Sequence, residues 1–177
     1  PKPPKVLEYI EGWKRNCPGW KIMEWGDDFA KASGNCYVLE ALAHGKWAFA
    51  SDWVRLAVLE RFGVFYLDTD VEMMRPFDPL CGEGFVAGWE LQNGKVFVGT
   101  GVLGSVAGGA VVRKLLSLYD NLPFVGKDGE LDQTPNTVRF LDAFAAEWGV
   151  TPHDGDDEIR FGDNGLILPC SAFASAE

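Results

Sequence analysis

The feature that most constrains the fold is a short apolar run, Val64-Phe65-Tyr66-Leu67, between Gly63 and Asp68. A continuous β-rich run of this length, bounded by a turn residue and a charged residue, is typical of a strand buried on both faces of a sheet. The residues before it, from about Trp47 to Phe62, have the apolar spacing of a helix that Gly63 ends. A helix that leads directly into a buried strand indicates an α/β domain.

Helical and β-rich segments alternate along the rest of the chain. We predict further helices over residues 6–13, 36–43, 110–119 and 137–148, and further strands over residues 20–25, 85–89, 96–103 and 166–168. No unit repeats every 20–50 residues, which favours a three-layer α/β sandwich over a solenoid. For the sandwich we predict a mixed, mostly parallel sheet.

Charge limits the class of partner. Sixteen basic and 26 acidic residues give a formal net charge of −10. A surface of that sign repels a phosphate backbone, so we expect no nucleic acid partner. A phosphorylated substrate would require a local reversal of the field, which a bound divalent cation supplies most directly.

Cysteine and histidine usage gives no sign of a metal centre. The cysteines are far apart and form no C-x-x-C pair: Cys17, Cys36, Cys81 and Cys170. We expect free thiols in a reducing compartment. His44 and His153 stand alone in the sequence, and we assign neither a role.

The ends of the chain bear on domain organisation and localisation. The sequence opens on Pro1 without an initiating Met and closes on Glu177 soon after an apolar run. We expect residues 1–177 to form a single domain that is truncated at both ends. No apolar stretch reaches about 18 residues, so we expect no transmembrane segment, a cytoplasmic location and, as an option, peripheral association with the inner face of the membrane.

Two carboxylates, Asp68 and Asp70, follow the predicted strand. If the chain stays extended, both side chains leave the same face with Cβ atoms about 6–7 Å apart. At an effective dielectric of about 20 they repel by about 3 kcal/mol, and a cation between them turns this repulsion into attraction. Oxygen ligands suit Mg²⁺, Mn²⁺ or Ca²⁺. The alternative is an exposed acidic turn without a ligand.

The predicted helix before the strand carries Ser51, Asp52 and Arg55. A spacing of three places Asp52 and Arg55 on one helix face. Taken alone, these two residues favour a surface ion pair worth under about 1 kcal/mol. The alternative places them in the same site as the two carboxylates.

The wider pattern resembles the DXD sugar-binding region of glycosyltransferase family 32, which includes bacterial capsular polysaccharide transferases and initiating mannosyltransferases. The resemblance is carried by Ser51-Asp52-Trp53-Val54-Arg55, Leu59, Gly63 to Val71 and Pro76. Similar positions extend it over nearly the whole chain: Pro3-Pro4, Trp13, Cys17-Pro18, Trp25, Gly99 to Gly104 and Asp132 to Asn136. The family usually has two glycines before the strand, and here Val64 replaces the second.

This resemblance implies a GT-A fold and an enzyme that moves a hexose from a UDP- or GDP-sugar to a saccharide or other hydroxyl acceptor. It also implies retention of configuration and a role in capsular or surface polysaccharide synthesis. By position, Asp70 is implied as the direct ligand of Mn²⁺ or Mg²⁺. Asp68 is implied as a second metal-shell group that touches the donor, and Ser51, Asp52 and Arg55 as donor contacts. The predicted catalytic set is Asp52, Arg55, Asp68 and Asp70.

Two other functions remain open at this point. The run Phe65 to Val71 also resembles the first motif of haloacid-dehalogenase-like phosphatases. In that case Asp68 would be the nucleophile and Asp70 the general acid/base of a magnesium-dependent phosphohydrolase, with Gly162-Asp163-Asn164 as a partial match to a later acidic motif. The third interpretation is a non-catalytic module that binds sugar or metal.

Overall fold

The computed structural model describes residues 2–152 and 156–173, so His153 lies outside the described residues. The helices are α1 (Pro4–Asn16), α2 (Asp27–Lys31), α3 (Cys36–Ala43), α4 (Trp47–Phe62), α5 (Ala110–Ser117) and α6 (Asn136–Trp148). The strands are β1 (Val64–Leu67), β2 (Phe85–Gln92), β3 (Lys95–Val98), β4 (Val102–Ser105), β5 (Ile159–Phe161) and β6 (Gly165–Leu168). Two short 3₁₀ helices cover Asp78–Leu80 and Cys170–Phe173.

The strands form one mixed sheet in the order β1-β4-β2-β6-β5, and β3 pairs with β2. The predicted α/β class with a mixed sheet is therefore confirmed. The expectation of a mostly parallel sheet is wrong, because in the described part of the chain only the β2–β6 pairing is parallel. The connections explain this difference. Asn93-Gly94 joins β2 to β3, and three residues join both β3 to β4 and β5 to β6, whereas a parallel crossover takes about a dozen residues.

Apolar side chains cover both faces of the sheet. The main core lies on one face, where Phe85, Ala87 and Trp89 of β2 pack among α3, α4, α5 and α6. A second core lies on the opposite face, where Phe65 and Leu67 of β1 pack against α1 and the segment 71–80. The sheet thus lies between two apolar layers, as the alternation of side chains along its strands requires.

Helix α4 is buried over most of its circumference, because it packs against α2, α3 and α5 as well as against β1 and β4. Its buried residues include the polar pair Asp52 and Arg55. Gly63 ends the helix with φ +69°, and a Cβ there would lie 2.6 Å from the backbone nitrogen of Ala107. Only glycine therefore fits at the junction between α4 and β1.

The predicted strand over residues 20–25 is not formed. The segment is strand-like in one respect, since Trp20 and Ile22 pack on the second core while Trp25 packs on the main core. Among the described residues, however, no backbone hydrogen bond joins residues 21–25 to another segment. The segment therefore forms no ladder with any described strand.

The predicted strand over residues 96–103 is two strands, β3 and β4, with Gly99, Thr100 and Gly101 between them. All four cysteines are free thiols. Over the ranges the structure describes, no helix is both long and apolar enough to cross a membrane.

Candidate active site

Three parts of the chain meet at the carboxyl end of β1. The backbone N–H of Asp68 donates to the carbonyl of Gly101 at 2.8 Å, which joins the strand end to the loop between β3 and β4. The amino-terminal half of α4 lies beside this junction and contributes Asp52 and Arg55. Ligands of α/β proteins commonly bind at such strand ends, so the structure places the predicted site residues where a site is expected.

Arg55 holds these parts together. Its side chain is only 6% exposed. Nη2 lies 3.2 Å from Oδ1 of Asp52, and Nη1 donates to Oδ2 of Asp68 at 3.2 Å and to the Thr100 carbonyl at 2.6 Å. Nε and Nη2 donate to the carbonyl and hydroxyl oxygens of Ser51, both at 3.3 Å. A surface ion pair is therefore the wrong interpretation, because the guanidinium is a buried cation that bridges two carboxylates.

Asp52 is 7% exposed, and its environment sets its charge. Burial raises the pKa of Asp52 to about 7, since a buried carboxylate loses the hydration that stabilises its charge. The Arg55 and Arg139 charges oppose this rise, and the Asp68 charge adds to it. Asp52 therefore changes its protonation state near neutral pH.

Asp68 is held on both oxygens. Oδ1 accepts a hydrogen bond from the Tyr66 hydroxyl at 2.8 Å, and Oδ2 accepts from Arg55. Burial raises the pKa of Tyr66 well above its ordinary value, so the phenol keeps its proton and acts as a donor. The sequence does not single out Tyr66, because it lies in an apolar run that is typical of a buried strand. The available signal was its position two residues before Asp68, on the same side of the strand.

Asp70 differs from Asp68. The backbone N–H of Val71 donates to the carbonyl of Asp68 at 3.2 Å, so the chain turns directly after β1. The prediction of an extended Asp68–Asp70 pair on one face is therefore wrong. Asp70 is exposed, and within the described ranges no hydrogen bond or ion pair engages its carboxylate. The carboxylate of Asp68 is therefore fixed by hydrogen bonds, whereas that of Asp70 is exposed and has no hydrogen-bond partner among the described residues.

These two carboxylates fit one kind of metal site. Nowhere in the described residues do three or more His, Cys, Asp or Glu side chains come together as a ready metal cage. Magnesium-type sites often use only one or two carboxylates and take their remaining ligands from water and substrate phosphates. Asp70 is open to such an ion, and the oxygens of Asp68 can each accept a further contact. The residues present therefore fit a cation that is shared with a phosphorylated ligand.

A buried polar layer lies behind Arg55. The Thr100 hydroxyl donates to Oδ1 of Asn136 at 3.2 Å. Several buried polar atoms of this layer have no hydrogen-bond partner among the described residues: Tyr37 Oη, Tyr119 Oη, Asn136 Nδ2 and Arg139 Nε. Sequence reasoning did not find this layer, because its members come from four separate elements of the chain.

The phosphatase alternative is not supported by the geometry. β1 and β2 both run antiparallel to β4, and β6 runs parallel to β2, so β1 and β6 point the same way. Asp68 follows the carboxyl end of β1, whereas Asp163 precedes the amino end of β6. The acidic motif that this function would require therefore lies at the opposite end of the sheet from Asp68.

Comparisons with known proteins agree with the predicted class. Residues 3–86 match the family model described as the glycosyltransferase sugar-binding region containing DXD motif. The structure is similar to one solved as PaToxG glycosyltransferase, with a TM-score of 0.61 and 16% identity. The similarity covers 82% of this chain and 65% of that one, so this chain spans about two thirds of its length. No curated protein matches the sequence.

The predicted resemblance to a DXD glycosyltransferase region is thus confirmed, and the matched stretch contains the whole predicted catalytic set: Asp52, Arg55, Asp68 and Asp70. The solved structure shows that the fold is shared with a glycosyltransferase. The family-model match supports the transferase class of enzyme.

Proposed function

We propose that the protein is a glycosyltransferase that binds a UDP- or GDP-sugar at the carboxyl end of β1 and moves the hexose to a saccharide or other hydroxyl acceptor. The observation that carries this proposal is the buried Arg55, which bridges Asp52 and Asp68 inside the stretch that matches the DXD family model. Burying a cation and two carboxylates costs desolvation energy, which the hydrogen bonds of Arg55 offset. We infer that the arrangement serves recognition of the donor sugar.

The side chains of the site suit a hydroxyl-rich ligand. Asp52 offers carboxylate oxygens to sugar hydroxyls. The N–H donors of Arg55 are engaged by Asp52, Asp68, Ser51 and Thr100, so Arg55 would act by fixing the two carboxylates rather than by binding the sugar itself. The contacts of Arg55 with Thr100 and Ser51 hold the guanidinium in place before any ligand arrives. Such preorganisation lowers the entropic cost of orienting a bound sugar.

A divalent cation, Mn²⁺ or Mg²⁺, would be held by Asp70 with Asp68 beside it. When bound, the ion would neutralise the charge of the diphosphate leaving group. The chain itself has a formal net charge of −10, which is unfavourable for a diphosphate ligand unless the field is reversed locally. Tyr66 keeps Asp68 oriented through its hydroxyl while Asp70 remains open to the solvent.

Other aspects of the proposal rest on the resemblance to family 32: a GT-A fold, transfer with retention, and a role in capsular or surface polysaccharide synthesis. Retention requires no protein nucleophile if the leaving phosphate guides attack from the same face. The free thiols of the chain are compatible with a cytoplasmic enzyme that works at the inner face of the membrane.

Calorimetry with a panel of UDP- and GDP-sugars tests the proposal. We expect binding in the presence of Mn²⁺ and loss of binding in EDTA. Asp70→Ala should weaken metal-dependent binding by at least about tenfold, because it removes the open carboxylate. Asp163→Ala is the matched control, since it removes an exposed carboxylate at the opposite end of the sheet.

Three outcomes would contradict the proposal. Metal affinity that is unchanged in Asp70→Ala would remove the assigned metal ligand. Hydrolysis of a generic phosphate ester under Mg²⁺ without nucleotide binding would favour a phosphohydrolase. Binding of a free sugar without any nucleotide or metal would favour a non-catalytic module.

A further inference from the structure

The buried polar layer behind Arg55 contains a second arginine, Arg139 of helix α6. Its side chain is 15% exposed, and Nη2 donates to Oδ2 of Asp132 at 2.5 Å. Nε is buried and has no hydrogen-bond partner among the described residues. Arg139 lies outside residues 3–86, the stretch that the family model matches, so that match assigns it no role. A buried guanidinium with an unused donor requires an explanation.

Two buried tyrosines hold the Arg139 guanidinium in this layer. The rings of Tyr37 and Tyr119 meet edge to face with their centroids 5.1 Å apart. The Arg139 guanidinium carbon lies 5.8 Å from the centroid of Tyr37 and 5.9 Å from that of Tyr119, within the range of cation–π attraction. The rings on one side and Asp132 on the other therefore restrict where the charge of Arg139 can lie.

Buried hydrogen bonds connect the first turn of α6 to the candidate site. Asn136 lies one turn before Arg139, and its Oδ1 accepts from the Thr100 hydroxyl at 3.2 Å. The Thr100 carbonyl accepts from Arg55 at 2.6 Å. Nη2 of Arg55 in turn lies 3.2 Å from Oδ1 of Asp52. The position of α6 is thus fixed relative to Asp52.

The charges at the site are not balanced by Arg55 alone. Arg55 is shared by two carboxylates, those of Asp52 and Asp68, so its single positive charge cannot neutralise both. Burial raises the pKa of Asp52, and the charges that oppose this rise are those of Arg55 and Arg139. Arg139 is therefore the second cation of the site, although it belongs to a different helix and forms its own ion pair with Asp132.

The other groups that interact with the Asp52 charge do not replace this cation. The Asp68 charge opposes ionisation of Asp52. The remaining groups are three phenols, and burial raises the pKa of each, so all three stay neutral: Tyr37, Tyr66 and Tyr119. Ionisation matters for binding, because a carboxylate accepts hydrogen bonds on both oxygens whereas a protonated carboxyl group uses one oxygen as a donor.

We propose that Arg139 is a positioning residue for Asp52: its charge, held in place by Asp132 and the two tyrosine rings, keeps the Asp52 carboxylate ionised for the donor sugar. Arg139 acts through Asp52, since a charge in a buried layer interacts more strongly than the same charge in water. This inference rests on the proposed function, because it takes Asp52 as the contact to sugar hydroxyls.

Nuclear magnetic resonance of the Asp52 carboxyl carbon tests the charge effect in the 177-residue chain without a donor. The pKa of about 7 sets the expected midpoint in the unmodified chain. In Arg139→Gln, which removes the charge, the midpoint should rise by about one pH unit. Arg139→Lys keeps the charge and should restore the midpoint. Arg113→Gln is the matched control, because it removes an exposed arginine paired with Glu60 and should leave the midpoint unchanged.

Donor binding distinguishes positioning from structural support. Calorimetry with UDP- and GDP-sugars and Mg²⁺ is compared at pH 7 and pH 8.5. A midpoint raised by one pH unit leaves about fivefold less ionised Asp52 at pH 7 but nearly the full amount at pH 8.5. The affinity of Arg139→Gln should therefore fall about fivefold at pH 7 and recover at pH 8.5. Arg139→Lys should bind as the unmodified chain does at both pH values.

A measurement on the unmodified chain keeps the test independent of whether Arg139→Gln folds. If the charges of Arg139 and Asp52 interact, the Nε–H resonance of Arg139 should move with pH at the midpoint of the Asp52 carboxyl carbon. An Nε–H resonance that does not move there would overturn the proposal, and so would an unchanged Asp52 midpoint in Arg139→Gln.

The two assays also separate this inference from the proposed function. Equal losses of affinity at both pH values in Arg139→Gln, not restored in Arg139→Lys, would show that Arg139 only supports the fold. A raised Asp52 midpoint in Arg139→Gln, with no nucleotide-sugar bound by the unmodified chain, would support the charge effect on Asp52 and contradict the proposed function.

Discussion

The carboxyl end of strand β1 and its outer edge differ in their hydrogen-bond partners and in the polarity of their surroundings. At its carboxyl end, Asp68 and Arg55 have hydrogen-bond partners that are already in place. Along its outer edge, the backbone has no partner among the described residues, and the surroundings are apolar. The comparison shows that the polar end is fixed by contacts within the chain, whereas the outer edge pairs with no described strand.

The difference has an energetic cause. A buried charge is tolerated only when its partners are fixed, so the carboxyl end of β1 must be ordered before a ligand arrives. An unpaired edge needs no such fixed partners, because water can solvate its backbone groups. Substitutions at the carboxyl end of β1 and at its first residue, Val64, test this contrast.

The largest effect is expected for Arg55→Ala. This substitution leaves Asp52 and Asp68 without their shared cation, so we expect the free energy of unfolding to fall by about 3–5 kcal/mol. Arg113→Ala is the matched control, because Arg113 forms an exposed ion pair with Glu60 worth under about 1 kcal/mol. Urea unfolding of both variants at pH 7.5 measures the difference. Equal losses in the two variants would show that the polar end is not preorganised around Arg55.

The second prediction concerns Asp52 and pH. Its pKa is about 7 in the folded protein and near its ordinary value of 3.8 in the unfolded chain. Between those values the folded state holds a proton that the unfolded state has released, so stability falls as pH rises from about 4 to about 7. The slope is at most about 1.4 kcal/mol per pH unit. Asp52→Asn should remove this part of the decline when unfolding is compared at pH 5 and pH 8.

Asp132→Asn is the control for the pH experiment. Burial alone would raise the pKa of Asp132, but hydrogen bonds from Thr134 and Arg139 lower it. Any stability linked to Asp132 is therefore lost only as pH falls through its depressed pKa, below the window from pH 5 to pH 8. A decline that persists unchanged in Asp52→Asn would mean that another group titrates in this window.

The fold class and the position of the candidate site could be predicted from the sequence because both depend on local patterns. The apolar period of α4 and the β-rich run of β1 specify a helix and a strand, and Gly63 separates them. Asp68 follows the strand directly, so its place at the strand end required no knowledge of tertiary structure. These inferences needed only a few adjacent residues.

The remaining errors concern contacts between distant segments. Strand direction depends on the connections, and sequence periodicity does not report it. The burial of Arg55 follows from packing on several sides of α4. The turn after Asp68 is an exception, because it is local and is closed by the hydrogen bond from Val71 to Asp68. Residues 20–25 have the composition of a strand, but a strand also requires a partner, which no described segment supplies.

The smallest predicted effect concerns the residue at which β1 begins. Val64 has φ +69°, a conformation that is strained for a β-branched residue. Val64→Gly should relieve this strain, and after the greater flexibility of glycine in the unfolded chain is subtracted we expect a gain of about 0.5–1 kcal/mol. Asn93→Gly is the matched control, because Asn93 has φ +50° in the β2–β3 turn and asparagine tolerates that region. If urea unfolding shows that Val64→Gly lowers stability, the apolar contacts of the Val64 side chain at the free edge of β1 outweigh its backbone strain.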